Sequence, residues 1–291
     1  MKAVIFGANG QDGYYLTRLC QKKDIEAIPI SRSGDLYHAD VSNYEEVEQL
    51  IRYHTPNYVF HLAANSTTRH NALFENHATI ATGTLNILEA VYKYSPGTRV
   101  FVTGSGLQFE NKGEAITEND QFVANSPYSI ARIQSVYAAR YYRSLGLKTY
   151  VGYLFHHEST LRKPHHISKK IVLATQRIAQ GSNELIEIGD VTAQKEWTFA
   201  GDVAAGIFTL INQENIFETV IGSGIAYSIE NWLEECFSLI GKDWQNYVKA
   251  IDDYHAEYSF LVSQPKTINS LGWLPIVKFS DLSAMMMNNV I

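Results

Sequence analysis

The chain has 291 residues, 45 % apolar and 19 % charged, enough to bury a sizeable core in one large domain or two smaller units. A formal net charge of −6 leaves no basic face for general nucleic-acid binding. No run approaches the ~18 apolar residues of a membrane span, and Met1–Gly7 is too short for a leader, so a cytoplasmic protein is expected. In chain order, Lys2–Phe6 reads as a buried strand, Gln11–Lys22 as a helix and Ile25–Ile30 as a second strand. Tyr44–His54 carries Val47, Leu50 and Ile51 on one helical face, and Tyr58–Leu62 is a strand. Ala72–Tyr94 reads as one long helix, Arg99–Thr103 as a strand, Pro127–Leu145 as a helix and Lys148–Leu154 as a strand. Strands alternating with helices predict βαβ units and an α/β fold, a Rossmann-type doubly wound parallel sheet.

Beyond residue 155 the pattern changes. Ser168–Gln180 and Phe199–Ile211 read as helices, Thr219–Ile221 as a returning strand, and Asn231–Ile240 and Ser280–Met287 as helices. Residues 1–155, with about 196–225, are expected to form the dinucleotide-binding domain; about 156–195 and 226–291 form a smaller interleaved α/β substrate-binding cap. Cys20 and Cys236 have no metal spacing and are expected as free thiols.

Gly7, Gly10 and Gly13 fall between the first strand and the first helix, in the run Gly7-Ala8-Asn9-Gly10-Gln11-Asp12-Gly13. Such glycines serve a tight turn, close approach to a pyrophosphate and helix–strand packing. The helix start adds N–H groups and partial positive charge. Asn9, Gln11 and Asp12 join the glycines as expected dinucleotide-binding residues. The second strand ends Ile30-Ser31-Arg32-Ser33, with no acidic residue for an adenosine 2′-hydroxyl. Arg32 suits a 2′-phosphate, so NADP is expected rather than NAD; the alternative is a solvated loop cation. Asp40 and Val41 follow the next strand and could meet the adenine edge. Leu62, Ala63 and Ala64 end the strand that begins at Tyr58 with residues that let a cofactor lie close to the backbone.

Asn125-Ser126-Pro127-Tyr128 opens a helix on which Tyr128 and Arg132 share one face. A cation beside a tyrosine makes it a better acid–base group. Ser105, just past the strand Arg99–Thr103, can hold a carbonyl or hydroxyl oxygen next to Tyr128. Here the chain resembles the extended short-chain dehydrogenase/reductase family, whose pattern is Ser or Thr with Tyr-x-x-x-Lys. Within that family it is most similar to GDP-mannose 4,6-dehydratase and the related GDP-4-keto-6-deoxy-mannose reductases. The resemblance runs over nearly the whole chain: Gly10–Leu16, Leu62–Ser66, Gly83–Ala90, Leu154–Ser159, Lys195-Glu196-Trp197, Ala200-Gly201-Asp202 and Leu271-Gly272-Trp273. It implies Ser105, Tyr128 and Arg132 as the catalytic set, with Tyr128 and Arg132 also touching the cofactor.

Two departures matter. Arg132 stands where the family has lysine; it keeps the charge but does not deprotonate. The dehydratases carry a proton-moving glutamate after the strand matching Arg99–Thr103, where this chain has Leu107 and Gln108, with Glu110 the nearest carboxylate. Ketoreduction needs less, so reduction of a 4-keto, 6-deoxy or related GDP-linked sugar is expected. The alternatives are a 4,6-dehydratase, a C4 dehydrogenase or epimerase and, from a different class, a non-catalytic NADP-binding regulator.

By resemblance, Lys195 replaces an arginine at the substrate diphosphate and His156 an asparagine near it; the alternative for Lys195 is a surface lysine. Arg162 and Lys163 could also meet phosphate, and Ser66 could line the sugar pocket. The histidine pairs 156–157 and 165–166 lack a completing Cys or Asp, so no metal is expected. Tyr137, Tyr141 and Tyr142 follow the Tyr128 helix, which fits packing or a subunit contact better than nucleic acid. The resemblance implies a homodimer through the helices Ala72–Tyr94 and Pro127–Leu145, or a homotetramer using the loop Ser31-Arg32-Ser33.

Overall fold

Seven strands pair in one sheet of a computed structural model that describes residues 1–251, 254 and 257–290. Of the expected cap span, residues 252–253, 255–256 and 291 lie outside the described residues. The strands are β1 (Lys2–Phe6), β2 (Glu26–Ser31), β3 (Tyr37–His38), β4 (Tyr58–His61), β5 (Arg99–Ser105), β6 (Lys148–Leu154) and a returning strand, Glu218–Ile221. Their order is returning strand, β6, β5, β4, β1, β2, β3, and every neighbouring pair is parallel. The winding reverses between β1 and β4, which opens a crevice at the carboxyl ends of the strands.

Strands covered on both faces must be apolar throughout. Ala3, Val4 and Ile5 are accordingly fully buried, as are Val59, Phe60, Val100 and Phe101. Alternate residues feed two cores. Val4, Phe6, Val59 and Val100 pack with Val47 and Ile51 of helix Tyr44–His54 and with Ile87, Leu88 and Val91 of helix Gly83–Tyr94. Ala3, Ile5, Phe60 and Phe101 pack with Leu16 and Cys20 of helix Gln11–Lys22 and with Val203 and Ile207 of helix Ala200–Ile211. A third cluster gathers Ile171, Ile178, Trp197, Trp232, Phe237 and Leu282 under the later helices. Trp197 and Trp232 stack there with centroids 4.6 Å apart. Both cysteines are buried and free. Among the described residues, no helix is long and apolar enough to cross a membrane.

The expected helix Ala72–Tyr94 runs on from Leu73, but its winding is not α throughout. Leu73–Asn76 is α-helical, His77–Thr82 winds as a π-helix, and Gly83–Tyr94 resumes the α form. Side-chain donors insert at the irregularity: the Ile80 carbonyl accepts from Thr84 Oγ1 at 2.7 Å and Ser135 Oγ at 3.1 Å, with His61 Nε2 at 3.3 Å. The later half also holds strand pairs of two or three residues, such as Gln194–Lys195 with Tyr227–Ser228 and with Phe260–Leu261. Such short pairs carry no readable alternation, and the hydropathy pattern does not predict them.

Candidate active site

A cleft of about 1020 Å³ lies along the switch point and is lined from the glycine loop to the start of the Tyr128 helix. The loop is shaped by close approach. Gly7 has φ +85°, and a Cβ there would sit 2.6 Å from Ala63 N; one at Gly13 would sit 2.5 Å from Gly7 O and Ala8 Cα. Gly7 and Gly10 line the cleft, whereas Gly13 acts from behind by letting the helix rest on the loop. No side chain caps helix Gln11–Lys22, so its first amides are left for an anion in the cleft.

The side chains of Gln11 and Asp12 turn away to residues 155–159. Gln11 Nε2 donates to His157 O at 3.1 Å, and Ser159 Oγ donates to Gln11 Oε1 at 2.9 Å. His157 Nε2 lies 2.8 Å from Asp12 Oδ1, and His157 Nδ1 lies 2.7 Å from Phe155 O. Both ring nitrogens face acceptors, which favours the imidazolium. Burial opposes charge on both partners, yet their mutual attraction outweighs it: His157 is raised and Asp12 lowered from the ordinary values. Gln11 and Asp12, expected as cofactor ligands, line the cleft, and their side chains are committed to a lock onto the segment after β6. In the sequence, His157 and Ser159 stand out only as members of a motif. The signal for their role is that two subgroup-specific segments have to serve one site.

Asn9 and Arg32 line the cleft at the end of β2. Asn9 Nδ2 donates to Ser33 Oγ at 3.4 Å, and Arg32 is half-exposed, 3.4 Å from Glu75 Oε1. Val41, Leu62, Ala63, Ala64 and Ser66 also line the cleft. Asp40 is not among the lining residues. Its carboxylate accepts from Ser42 N at 2.9 Å and Ser42 Oγ at 2.8 Å, which ties it to the turn before the next helix.

Ser105 ends β5 at the cleft wall. Its Oγ accepts from Leu107 N at 3.2 Å, and Gln108 Oε1 accepts from Ser105 N at 2.9 Å. Gln108 is therefore fully buried and folded back on the backbone, while Leu107 lines the cleft. Glu110 lies off the cleft, 3.0 Å from Lys112. Ser126 and Ser129 form a capping box that starts helix Pro127–Ser144 and fixes Tyr128 at the cleft wall. Arg132 is one turn on, its guanidinium 5.0 Å from the Tyr128 ring centroid. It donates from Nη1 to Thr103 O at 2.6 Å, and its Nε, although buried, has no partner among the described residues. A buried cation with an unused donor and no paired carboxylate calls for an acceptor from the cleft. Ser105, Tyr128 and Arg132 all line it, so the structure brings the three together.

Toward the cap, His156, Arg162 and Lys163 line the cleft. Burial holds His156 well below its ordinary value, and the Tyr258 hydroxyl lies 3.3 Å from its Nδ1. Lys195 is not among the lining residues; it is buried with Nζ 4.5 Å from the Trp197 ring centroid. Burial lowers its ammonium to about 8. Among the described residues, no group of three His, Cys, Asp or Glu could hold a metal ion.

The glycine cradle and the Ser105–Tyr128–Arg132 set, on this sheet, define a Rossmann-type short-chain dehydrogenase/reductase. Solved structures share the fold. A UDP-glucose 4-epimerase of Thermus thermophilus, complexed with NAD, superposes with TM-score 0.85 at 19 % identity, covering 100 % of both chains. RMD from Pseudomonas aeruginosa, complexed with NADPH, superposes at 0.85 and 16 % identity, over 99 % of this chain and 96 % of that one. The profile of the family described as GDP-mannose 4,6 dehydratase matches residues 30–286, and the chain belongs to that family. GDP-mannose 4,6 dehydratase 2 of Arabidopsis thaliana is 27 % identical over 98 % of this chain and 86 % of its own length. GDP-mannose 4,6 dehydratase of Drosophila melanogaster is 26 % identical over 88 % of this chain and 72 % of its own length.

Proposed function

We propose that this protein reduces the 4-keto group of a GDP-linked, 6-deoxy or related sugar, using NADP in preference to NAD. The observation that carries the reading is the end of β5. Elimination of water from a hexose needs a side chain there that takes and returns a proton. Leu107 faces the cleft, Gln108 is bound to the backbone, and Glu110 is paired with Lys112 outside it. The described carboxylates that do line the cleft are Asp12, bonded to His157, and Glu257, on the cap side beside Thr68; neither follows β5.

The residues fit a dinucleotide: the cradle at Gly7 has no room for a Cβ, and Arg132 Nε is buried without a partner among the described residues. Gly7, Gly10 and the amides of Gln11 and Asp12 would hold its pyrophosphate, Arg32 its adenosine end, and Arg132 a ribose near the reacting ring. When bound, the nicotinamide supplies the hydride equivalent for reduction. Ser105 orients the sugar carbonyl by donating to its oxygen. Tyr128 delivers a proton to that oxygen as it becomes a hydroxyl. Arg132 keeps positive charge beside Tyr128 but is a fixed cation that does not relay a proton, so Tyr128 is recharged from solvent through the cleft. The relatives' names support a GDP-linked substrate. Those names also favour a second reading, a 4,6-dehydratase. A homodimer is part of the proposal: Leu85, Tyr92, Ile130, Tyr137 and Tyr141 expose apolar surface on helices Gly83–Tyr94 and Pro127–Ser144.

The test is NADPH oxidation with a panel of 4-keto-6-deoxy nucleotide sugars, GDP-mannose alongside, and products identified by mass spectrometry. Stoichiometric NADPH loss that falls at least ~100-fold in Tyr128→Phe, with dinucleotide still bound, is the expected result. Water lost from GDP-mannose without net NADPH consumption would establish the dehydratase instead. Silence in every arm with NADPH bound would point to a non-catalytic binder.

A further inference from the structure

We propose that Glu75 weakens this protein's preference for NADP(H) over NAD(H) by neutralising Arg32. The inference rests on the dinucleotide reading above and concerns the adenosine end of the same cleft. Arg32 is the cation that follows β2, and the hydroxyl residues Ser31 and Ser33 flank it with no acidic neighbour. Glu75 is 43 residues further along, on the short helix Leu73–Asn76, yet its Oε1 lies 3.4 Å from Arg32 Nη2. Its other oxygen accepts from Asn65 Nδ2 at 2.8 Å, which holds the carboxylate in place. Arg32 and Asn65 line the cleft; Glu75 is not among the lining residues and stands behind them. The carboxylate absent from the end of β2 in the sequence is thus supplied from elsewhere in the chain.

The consequence is electrostatic. Side-chain exposures of 52 % and 49 % place the Arg32–Glu75 pair at the surface, where charges act through water-like dielectric but still within a Debye length of each other. A 2′-phosphate arriving at Arg32 meets a cation whose charge is already balanced, with a carboxylate just beyond it. A 2′-hydroxyl is neutral and feels almost nothing of this. Glu75 therefore handicaps the phosphorylated dinucleotide selectively. For a dianion about 7 Å from the carboxylate in water-like dielectric, the handicap is about two- to threefold in affinity at physiological salt and about fivefold at low salt.

The experiment measures NADPH and NADH dissociation constants by dinucleotide fluorescence, at low and high salt. It uses wild type, Glu75→Gln, Arg32→Ala and the double variant. Glu75→Gln keeps an acceptor for Asn65 and removes only the charge. At low salt it is expected to tighten NADPH about fivefold and to leave NADH within about 1.5-fold. The gain should shrink at high salt and disappear in the Arg32→Ala background. Weaker NADPH binding in Glu75→Gln, equal shifts for both dinucleotides, or a gain that survives loss of Arg32 would overturn the proposal. Failure of every form to bind either dinucleotide would instead overturn the cofactor reading beneath it.

Discussion

Neutralising Glu218 should loosen the far end of the helix that carries Tyr128 and Arg132. Glu218 opens the returning strand at the sheet edge, its side chain 14 % exposed. Arg140 Nε and Nη2 donate to its two oxygens at 3.0 and 2.7 Å, Arg143 Nη1 at 2.8 Å, and the Tyr153 hydroxyl at 2.7 Å. Burial alone would raise the carboxyl, but these donors overcome it and bring Glu218 from 4.5 to about 2. A folded-state value depressed below the unfolded one adds stability that is complete at neutral pH. That stability is lost as pH falls from about 4.5 toward about 2. The displacement corresponds to about 3 kcal/mol at pH 7, and solvent at the half-open Arg140 trims it to about 2–3 kcal/mol. Glu218→Gln keeps the shape and removes the charge. Urea unfolding of both proteins from neutral to acid pH measures the difference. The gap should be about 2–3 kcal/mol at pH 7, fall to about 1 kcal/mol near pH 3 and close only below about pH 2. A gap under about 0.5 kcal/mol at pH 7, or one that persists unchanged into acid, would refute the reasoning.

Two further outcomes can be checked on the purified protein. Gly13→Ala puts a methyl 2.5 Å from backbone atoms of Gly7 and Ala8. It should destabilise by about 1–3 kcal/mol and abolish stabilisation by NADPH, read by thermal shift; full retention of that stabilisation would show the loop has room to give. Leu107→Glu sets a carboxylate on the cleft wall after β5. It should produce water loss from GDP-mannose above the wild-type level, seen by mass spectrometry, and no gain would mean that position 107 does not govern elimination.

Where one physical rule decided the outcome, sequence reading and structure agree. The strand Lys2–Phe6 and the helices Gln11–Lys22 and Tyr44–His54 coincide at both ends, since each pairs one clear periodicity with a turn or cap signal. The π-helix at His77–Thr82 left no such trace, because the apolar spacing on either side is ordinary and its stabilising donors, His61 and Ser135, come from remote segments. The same limit applies to the cleft. Its glycines and Tyr128 are legible because local geometry demands them. What Glu75 does depends on Arg32, 43 residues away, which it meets only after folding. Asp40 and Lys195 instead turn to neighbours two positions on, Ser42 and Trp197, and residue type alone does not say whether such a side chain faces its neighbour or the cleft.

The lock between Gln11, Asp12 and residues 157–159 spans 145–148 positions of chain. During synthesis, then, the glycine turn emerges early but stays unbraced until β6 has been made and docked. A fragment ending before Phe155 would carry the whole fingerprint with the polar side chains of Gln11 and Asp12 unanswered. Grafting that fingerprint into another scaffold would likewise import its dependence on a distant segment. The portable unit is the turn together with its far-side brace.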